Sequence, residues 1–343
     1  MHMADALVSP AVGGAMWAAA AGLTAYSAKK VRLDPDEKKV PLMGVLGAFI
    51  FAAQMINFTI PGTGSSGHLG GGLLLAALLG PYAGFLTMAS ILAVQGFFFG
   101  DGGLLAMGCN IFNLGFYPCF IAYPLLFKPI VGKRPTPGRI LAGASLAAIV
   151  GLQLGSFSVV LETLVSGISE LPFRAFLWLM QPVHLAIGIV EGLITAAVLT
   201  FVWKDRPELL ESTVAGAAYG DLDLKKVLIS LSIAAALTGG SLSWFASTHP
   251  DGLEWSLFHA SGKEELEAPA GIHQTIAGIQ EKTAILPDYG FKAEENVAAG
   301  SEPVERWPAV SGGTSVAGLV GGLFTLLLTG VIGYGLRMVK KRG

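Results

Sequence analysis

Apolar residues run along this chain in long blocks, separated by short polar or charged stretches. Eight blocks approach the ~20 residues that a bilayer core demands of a helix. They fall at about 10–28, 42–60, 82–100, 103–127, 140–167, 174–203, 226–247 and 316–336. A ninth run, 69–79, is short and bracketed by glycines. It reads either as a short span or as a re-entrant piece tucked inside protein.

Charge decides between these readings. Seventeen of the 22 Lys and Arg residues fall in four segments. Lys29, Lys30, Arg32, Lys38 and Lys39 fill the first, and Lys128, Lys133, Arg134 and Arg139 the second. Lys204, Arg206, Lys225 and Lys226 fill the third, and Arg337, Lys340, Lys341 and Arg342 the last. Placing all four in the cytoplasm satisfies the positive-inside rule. Parity then makes 69–79 a full crossing and sets the N-terminus outside and the C-terminus in the cytoplasm. The expectation is an all-α integral protein of the cell (inner) membrane with about nine spans, seven before residue 205 and two after.

Composition agrees. Hydrophobic residues make up 52% and charged residues 13%, about half the charge of a soluble domain. The 46 glycines suit helices packed closely in lipid. A net charge of −2 supplies no basic field for nucleic acid. Cys109 and Cys119 sit in an apolar stretch and read as buried small side chains, not a disulfide framework. No Lys or Arg precedes the first apolar run, so Met1–Met3 does not begin a usual signal peptide. Met1 is expected to stay on the mature protein, and the bulky His2 argues the same way.

The stretch 249–306 changes character. It holds His249, His259 and His273 and acids including Asp251, Glu254, Glu264, Glu265, Glu267, Glu281, Glu294, Glu295, Glu302 and Glu305. The expected division is a seven-span unit over 1–204, a polar cytoplasmic linker over 205–221, and a two-span accessory unit over 222–343 with an external loop at about 248–306. That loop could capture metal before hand-over, or cover a pocket as a solvated loop.

Candidate chemistry begins at Met1-His2. A free α-amine, the amide nitrogen of residue 2 and its imidazole can chelate one ion, leaving one equatorial position open. Such a set suits Ni(II) or Cu(II), which favour square geometry; the bland reading is a surface terminus. Gly62, Gly64 and Gly67 spell GxGxxG, but the flanks are membrane runs and no acid follows until Asp101, so a dinucleotide site is excluded. No ATPase motif is present, so pumping would need a separate ATPase. The loop does offer His68 on the expected outer face, as a fourth nitrogen for the His2 chelate or as a packed histidine.

His184 and Glu191 share one helix face. At membrane depth such groups are functional or paired, so they form a polar site, a helix clamp or a satisfied pair. Gln54, Asn57, Gln95, Asn110, Asn113 and Gln153 are candidates for interhelical hydrogen bonds. An intramembrane metalloenzyme using His184 and Glu191 would want His-Glu-x-x-His, which is missing. An ion-driven secondary transporter would want inverted repeats, and none is evident. In the first span Ala15, Ala18, Ala21, Gly22 and Ala25 flatten a face for another membrane subunit.

Met1-His2-Met3-Ala4-Asp5, the block from Ile60 through His68 to Gly72, and the block from Gly100-Asp101-Gly102 to Cys109-Asn110 resemble the substrate-binding membrane subunit of nickel/cobalt energy-coupling-factor transporters. Pro182 to Thr195, with His184 and Glu191, is similar to that family's late helix. Pro250-Asp251-Gly252-Leu253-Glu254-Trp255 resembles the family's small two-span accessory subunit, so the chain looks like a fusion of the two. The resemblance implies a metal site made of the Met1 amine, the His2 amide and imidazole, and the His68 imidazole. It implies Ser66, Asp101, Asn110, His184 and Glu191 as polar neighbours or supports. It also implies a transmembrane coupling subunit, two cytoplasmic ATPase subunits, nickel or cobalt as cargo, and no catalysis by this chain. Asp101 stands where cobalt-type relatives have His, and Gly67-His68-Leu69-Gly70 replaces His-Pro-Thr-Gly; both lean toward nickel.

Overall fold

A computed structural model describes residues 1–34, 36, 38–220, 222–263, 266–292 and 307–342. The architecture is all-α apart from one small hairpin. Five helices are long and apolar enough to cross a membrane by length and composition. They are α4 (Pro81–Phe99), α5 (Met107–Val131), α6 (Pro137–Ser166), α7 (Phe173–Asp205) and the start of α12 (Gly312–Arg342). The 24-residue α1 (Pro10–Leu33) and the 16-residue α2 (Lys39–Gln54) and α9 (Lys225–Gly240) occupy three further expected spans. The other helices are α3 (Gly72–Leu79), α8 (Pro207–Ala215), α10 (Gly252–Ser261) and α11 (Ile272–Thr283).

Two expected boundaries move. The run 42–60 stops being helical at Gln54, and its end becomes strand β1 (Phe58–Ile60), paired antiparallel with β2 (Ser65–Gly67). Gly62 and Gly64 turn the hairpin with φ of 79° and 73°, a region that L side chains avoid. The run 226–247 stops at Gly240, followed by a short 3₁₀ turn.

The ninth run has its own solution. The helix α3 has eight residues, all buried, and rises only about 12 Å. Just before it, the N–H groups of Gly70 and Gly71 are held by Glu191 of α7. At its other end the Leu78 carbonyl accepts from Tyr219 and Thr213 beside α8. The strand β2 and all of α3 are buried inside the bundle. Irregular backbone there is tolerated because protein surrounds it.

Small residues set the helix crossings. A Cβ on Gly192 of α7 would stand 2.5 Å from Ser145 Cα of α6, and one on Gly188 would stand 2.9 Å from Ile149 Cα. Gly239 of α9 and Gly318 of α12 touch backbone to backbone.

The helix ends carrying the four basic segments gather at one end of the bundle. There Lys38 Nζ donates to the Leu222 carbonyl at 2.7 Å, Tyr123 donates to the Thr213 carbonyl at 3.0 Å, and Gly333 packs on Val40. The opposite end holds residues 1–8, the hairpin and the accessory loop, joined where the Ser247 N–H donates to the Asn57 carbonyl at 2.7 Å. The loop acids Glu264, Glu265, Glu294, Glu295, Glu302 and Glu305 lie outside the described residues.

Candidate metal site

The first eight residues are drawn into the bundle. Asn110 of α5 grips Met3 at both backbone groups: Oδ1 accepts the Met3 N–H at 2.8 Å, and Nδ2 donates to the Met3 carbonyl at 3.2 Å. Gly103 N–H donates to the same carbonyl at 2.8 Å. Asp5 Oδ1 accepts the Ala106 N–H at 2.9 Å. Met1 and Met3 are buried as a result.

This placement brings the expected ligands together. The Met1 ammonium donates to Asp251 Oδ2 at 2.8 Å and to His68 Nε2 at 3.2 Å. His68 Nδ1 bonds the Leu69 carbonyl at 3.0 Å; a carbonyl only accepts, so Nε2 carries the lone pair. Burial and the nearby ammonium push the His68 pKa down to about 3, so this imidazole is neutral and ready to ligate. The His2 ring stacks on the His68 ring, with centroids 5.1 Å apart and planes 14° apart. His2 Nδ1 lies 3.2 Å from Asp101 Oδ1. Burial lowers the His2 pKa, with Asp101 opposing.

A small cavity of about 10 Å³ is lined by Met1, His68, His184 and Asp251 among others. His184 Nδ1 donates to the Met180 carbonyl at 2.8 Å, which leaves its buried Nε2 without a partner among the described residues. No group of three or more His, Cys, Asp or Glu side chains at metal-holding spacing occurs among the described residues. The set here is different in kind: two imidazoles and two backbone nitrogens.

The remaining supports divide by role. Glu191 turns away from His184 and accepts the N–H groups of Gly70 at 2.8 Å and Gly71 at 3.1 Å. That fixes the chain two residues beyond His68. Ser66 joins the hairpin to the accessory unit: its N–H donates to the Pro250 carbonyl and its hydroxyl to the His249 carbonyl, both at 2.8 Å. Asp101 also accepts from Tyr289 of the accessory loop.

Sequence reasoning missed Asp251 as a member of the site. It begins α10 as an N-cap in a capping box with Glu254, while its other oxygen takes the Met1 amine. Burial works against its charge, but the Met1 ammonium beside it holds its pKa well below the usual carboxylate range. The one available signal was the Asp-Gly-Leu-Glu pattern, which announces a helix start but not a partner. Of the loop histidines, His273 is buried and donates to the Val8 carbonyl at 2.9 Å. It is a strut between the units rather than an exposed metal trap.

The chain belongs to the family of the cobalt uptake substrate-specific transmembrane region (CbiM), which matches residues 2–209. Residues 225–338 match the PDGLE domain. Similar proteins include the putative fused nickel transport protein NikMN of Archaeoglobus fulgidus, 30% identical over 96% of both chains. The fused nickel transport protein NikMN of Rhodobacter capsulatus is 28% identical over 88% of this chain and 91% of that one. A crystal structure of a transition metal transporter is 30% identical, with a TM-score of 0.53 over 60% of this chain and 93% of that one. These relatives are named as transport proteins, not enzymes.

Proposed function

We propose that this chain captures nickel, or cobalt, for an ATP-driven energy-coupling-factor importer. The ion is held by the Met1 amine, the His2 amide and imidazole, and His68 Nε2. The carrying observation is the convergence of the α-amine with an imidazole 67 positions away, at 3.2 Å. For the ion to bind, the amine and the amide each give up a proton, and Asp251 and Asp101 release the amine and His2 Nδ1. Four nitrogens in a plane favour Ni(II); Cu(II) would bind at least as well by intrinsic order, so availability selects against it.

The basic end of the bundle would face the cytoplasm and the site end the outside. The α1 face formed by Gly14, Ala15, Ala18, Ala21, Gly22 and Ala25 is exposed, and Gly14 and Gly22 have open space around them. Small residues let a partner helix approach, so this face would receive the transmembrane coupling subunit, with two ATPase subunits completing the importer.

The test compares purified protein starting at native Met1 with a form carrying one extra residue before it. One nickel per chain with a yellow d–d band, lost in the extended form, is the expected result. Equal nickel in both forms would move the site away from the amine.

A further inference from the structure

Two buried atoms beside the candidate ligands have no hydrogen-bond partner among the described residues: His2 Nε2 and Gln95 Oε1. Gln95 begins the π-wound turn Gln95–Phe99 that ends α4, and it is fully buried. Its side chain faces His2 and Tyr289.

The orientation of its amide is fixed by chemistry. The Gly70 carbonyl can only accept, so Gln54 presents its Nε2 there, at 2.8 Å. Gln54 Oε1 must then accept, and Gln95 Nε2 donates to it at 2.8 Å. Gln95 Oε1 is therefore an acceptor turned toward His2. On the ring, Nδ1 faces the Asp101 carboxylate and carries the hydrogen, which leaves Nε2 as an acceptor as well. Two acceptors face each other and cannot bond. This accounts for both orphaned atoms.

Resting on the capture reading above, we propose that Gln95 is the positioning residue for metal-bound His2, accepting a hydrogen bond from Nε2–H once the ion takes Nδ1. Only Nδ1 closes a six-membered chelate ring with the amide nitrogen of the same residue. As the ion bonds there, the Nδ1 proton leaves and Nε2 takes one up from water, so the ring stays neutral. Gln95 Oε1 then gains its donor and both orphans are satisfied together. Ligating histidines commonly donate their other N–H in this way, which fixes the ring and raises its basicity. Gln54 and Gly70 carry the same line of hydrogen bonds to the segment that follows His68, so both imidazoles are set by one buried strut.

The test uses full-length protein with native Met1 and ¹⁵N-labelled histidine. Long-range ¹H–¹⁵N spectra report the His2 tautomer without nickel and with it, low-spin square-planar Ni(II) being diamagnetic. The expected change is from Nδ1–H to Nε2–H. Gln95→Met should weaken nickel binding about 10–100-fold. Gln95→Glu keeps an acceptor toward His2 and should retain the affinity, with the d–d band moved to shorter wavelength. A merely structural role makes Glu as harmful as Met, because both lose the N–H to Gln54. An unchanged tautomer in the nickel-loaded protein, or unchanged affinity in Gln95→Met, overturns the proposal. If Gln95→Met does not fold, the unsubstituted protein's tautomer decides alone. Failure of the native protein to bind any nickel would sink the capture reading itself; tight nickel with an unchanged tautomer would sink only the role of Gln95.

Discussion

Replacing Asp251 by Asn separates two jobs that one carboxylate performs. Oδ1 accepts the N–H groups of Leu253 at 2.7 Å and Glu254 at 2.9 Å, which starts α10. Oδ2 takes the Met1 amine at 2.8 Å. Asn caps helices about as well as Asp, so α10 should keep its start. What disappears is the anion opposite the amine, in a place where the Asp251 side chain is only 17% exposed and water screens little. A hydrogen bond to a charged group is worth about 1.5–3 kcal/mol. The ammonium form loses that stabilisation; the nickel-bound form, whose amine is neutral, does not. Nickel affinity should therefore rise about 10- to 100-fold, while the metal-free protein melts at a lower temperature. The assay is competition against a chromophoric nickel chelator at neutral pH, with melting followed in parallel. Affinity that falls would make Asp251 a partner of the bound ion rather than its competitor. Affinity and melting that both stay fixed would show that the pair carries no energy, and would refute the reasoning.

Three more outcomes follow from the same geometry. Because burial lowers the pKa of both His2 and His68, the imidazoles compete little with protons above pH ~6.5, the ordinary histidine value. The amide proton of His2 must still be displaced at every pH in this range, so nickel affinity should rise by about one log unit or more per pH unit between about 6.5 and 8; an affinity that stays flat on titration would rule this set of ligands out. Glu191→Ala strands the buried N–H groups of Gly70 and Gly71, at about 1–3 kcal/mol each; thermal melting should fall and nickel binding weaken through His68, and wild-type values for both would show that the clamp is idle. Gly22→Leu enters open space on α1, so melting and nickel binding should hold while ATP-dependent uptake in cells is lost; normal uptake would place the coupling subunit elsewhere.

The sequence reveals what is periodic or local, and conceals what is paired across distance. Eight long apolar runs become helices because length and hydropathy are properties of a segment. The ninth is harder, since α3 needs Glu191 and Tyr219 to define its ends, and both lie more than 100 positions away. His2 and His68 are visible as residue types and meet as expected. Glu191 and His184 share a helix face, yet one serves the Gly70 backbone and the other the cavity, because a seven-residue spacing fixes a face but not a partner. Asp251 was the least legible, for its capping pattern fully explains it locally while its second oxygen works 250 positions away. Gln54 and Gln95 read only as generic interhelical glutamines until their order along one line of hydrogen bonds is known.

That division of labour bears on how a capture site can also let go. Four planar nitrogens around Ni(II) make a strong chelate, and an importer that bound its cargo without opposition would keep it. Here two of the nitrogens are contested. The amine has Asp251, and His2 Nδ1 has Asp101, which in turn accepts from Tyr289. Asp251 and Tyr289 come from the accessory unit, whereas every proposed ligand comes from the first 68 residues. On the capture reading, therefore, a movement of the accessory loop alters affinity without displacing a single ligand. Withdrawing Asp251 frees the amine, which favours the ion; returning it restores the competitor and favours release. The same logic explains why the two units are worth fusing. A competing carboxylate acts only when held within hydrogen-bond reach of the amine, and a covalent tether keeps it at high effective concentration.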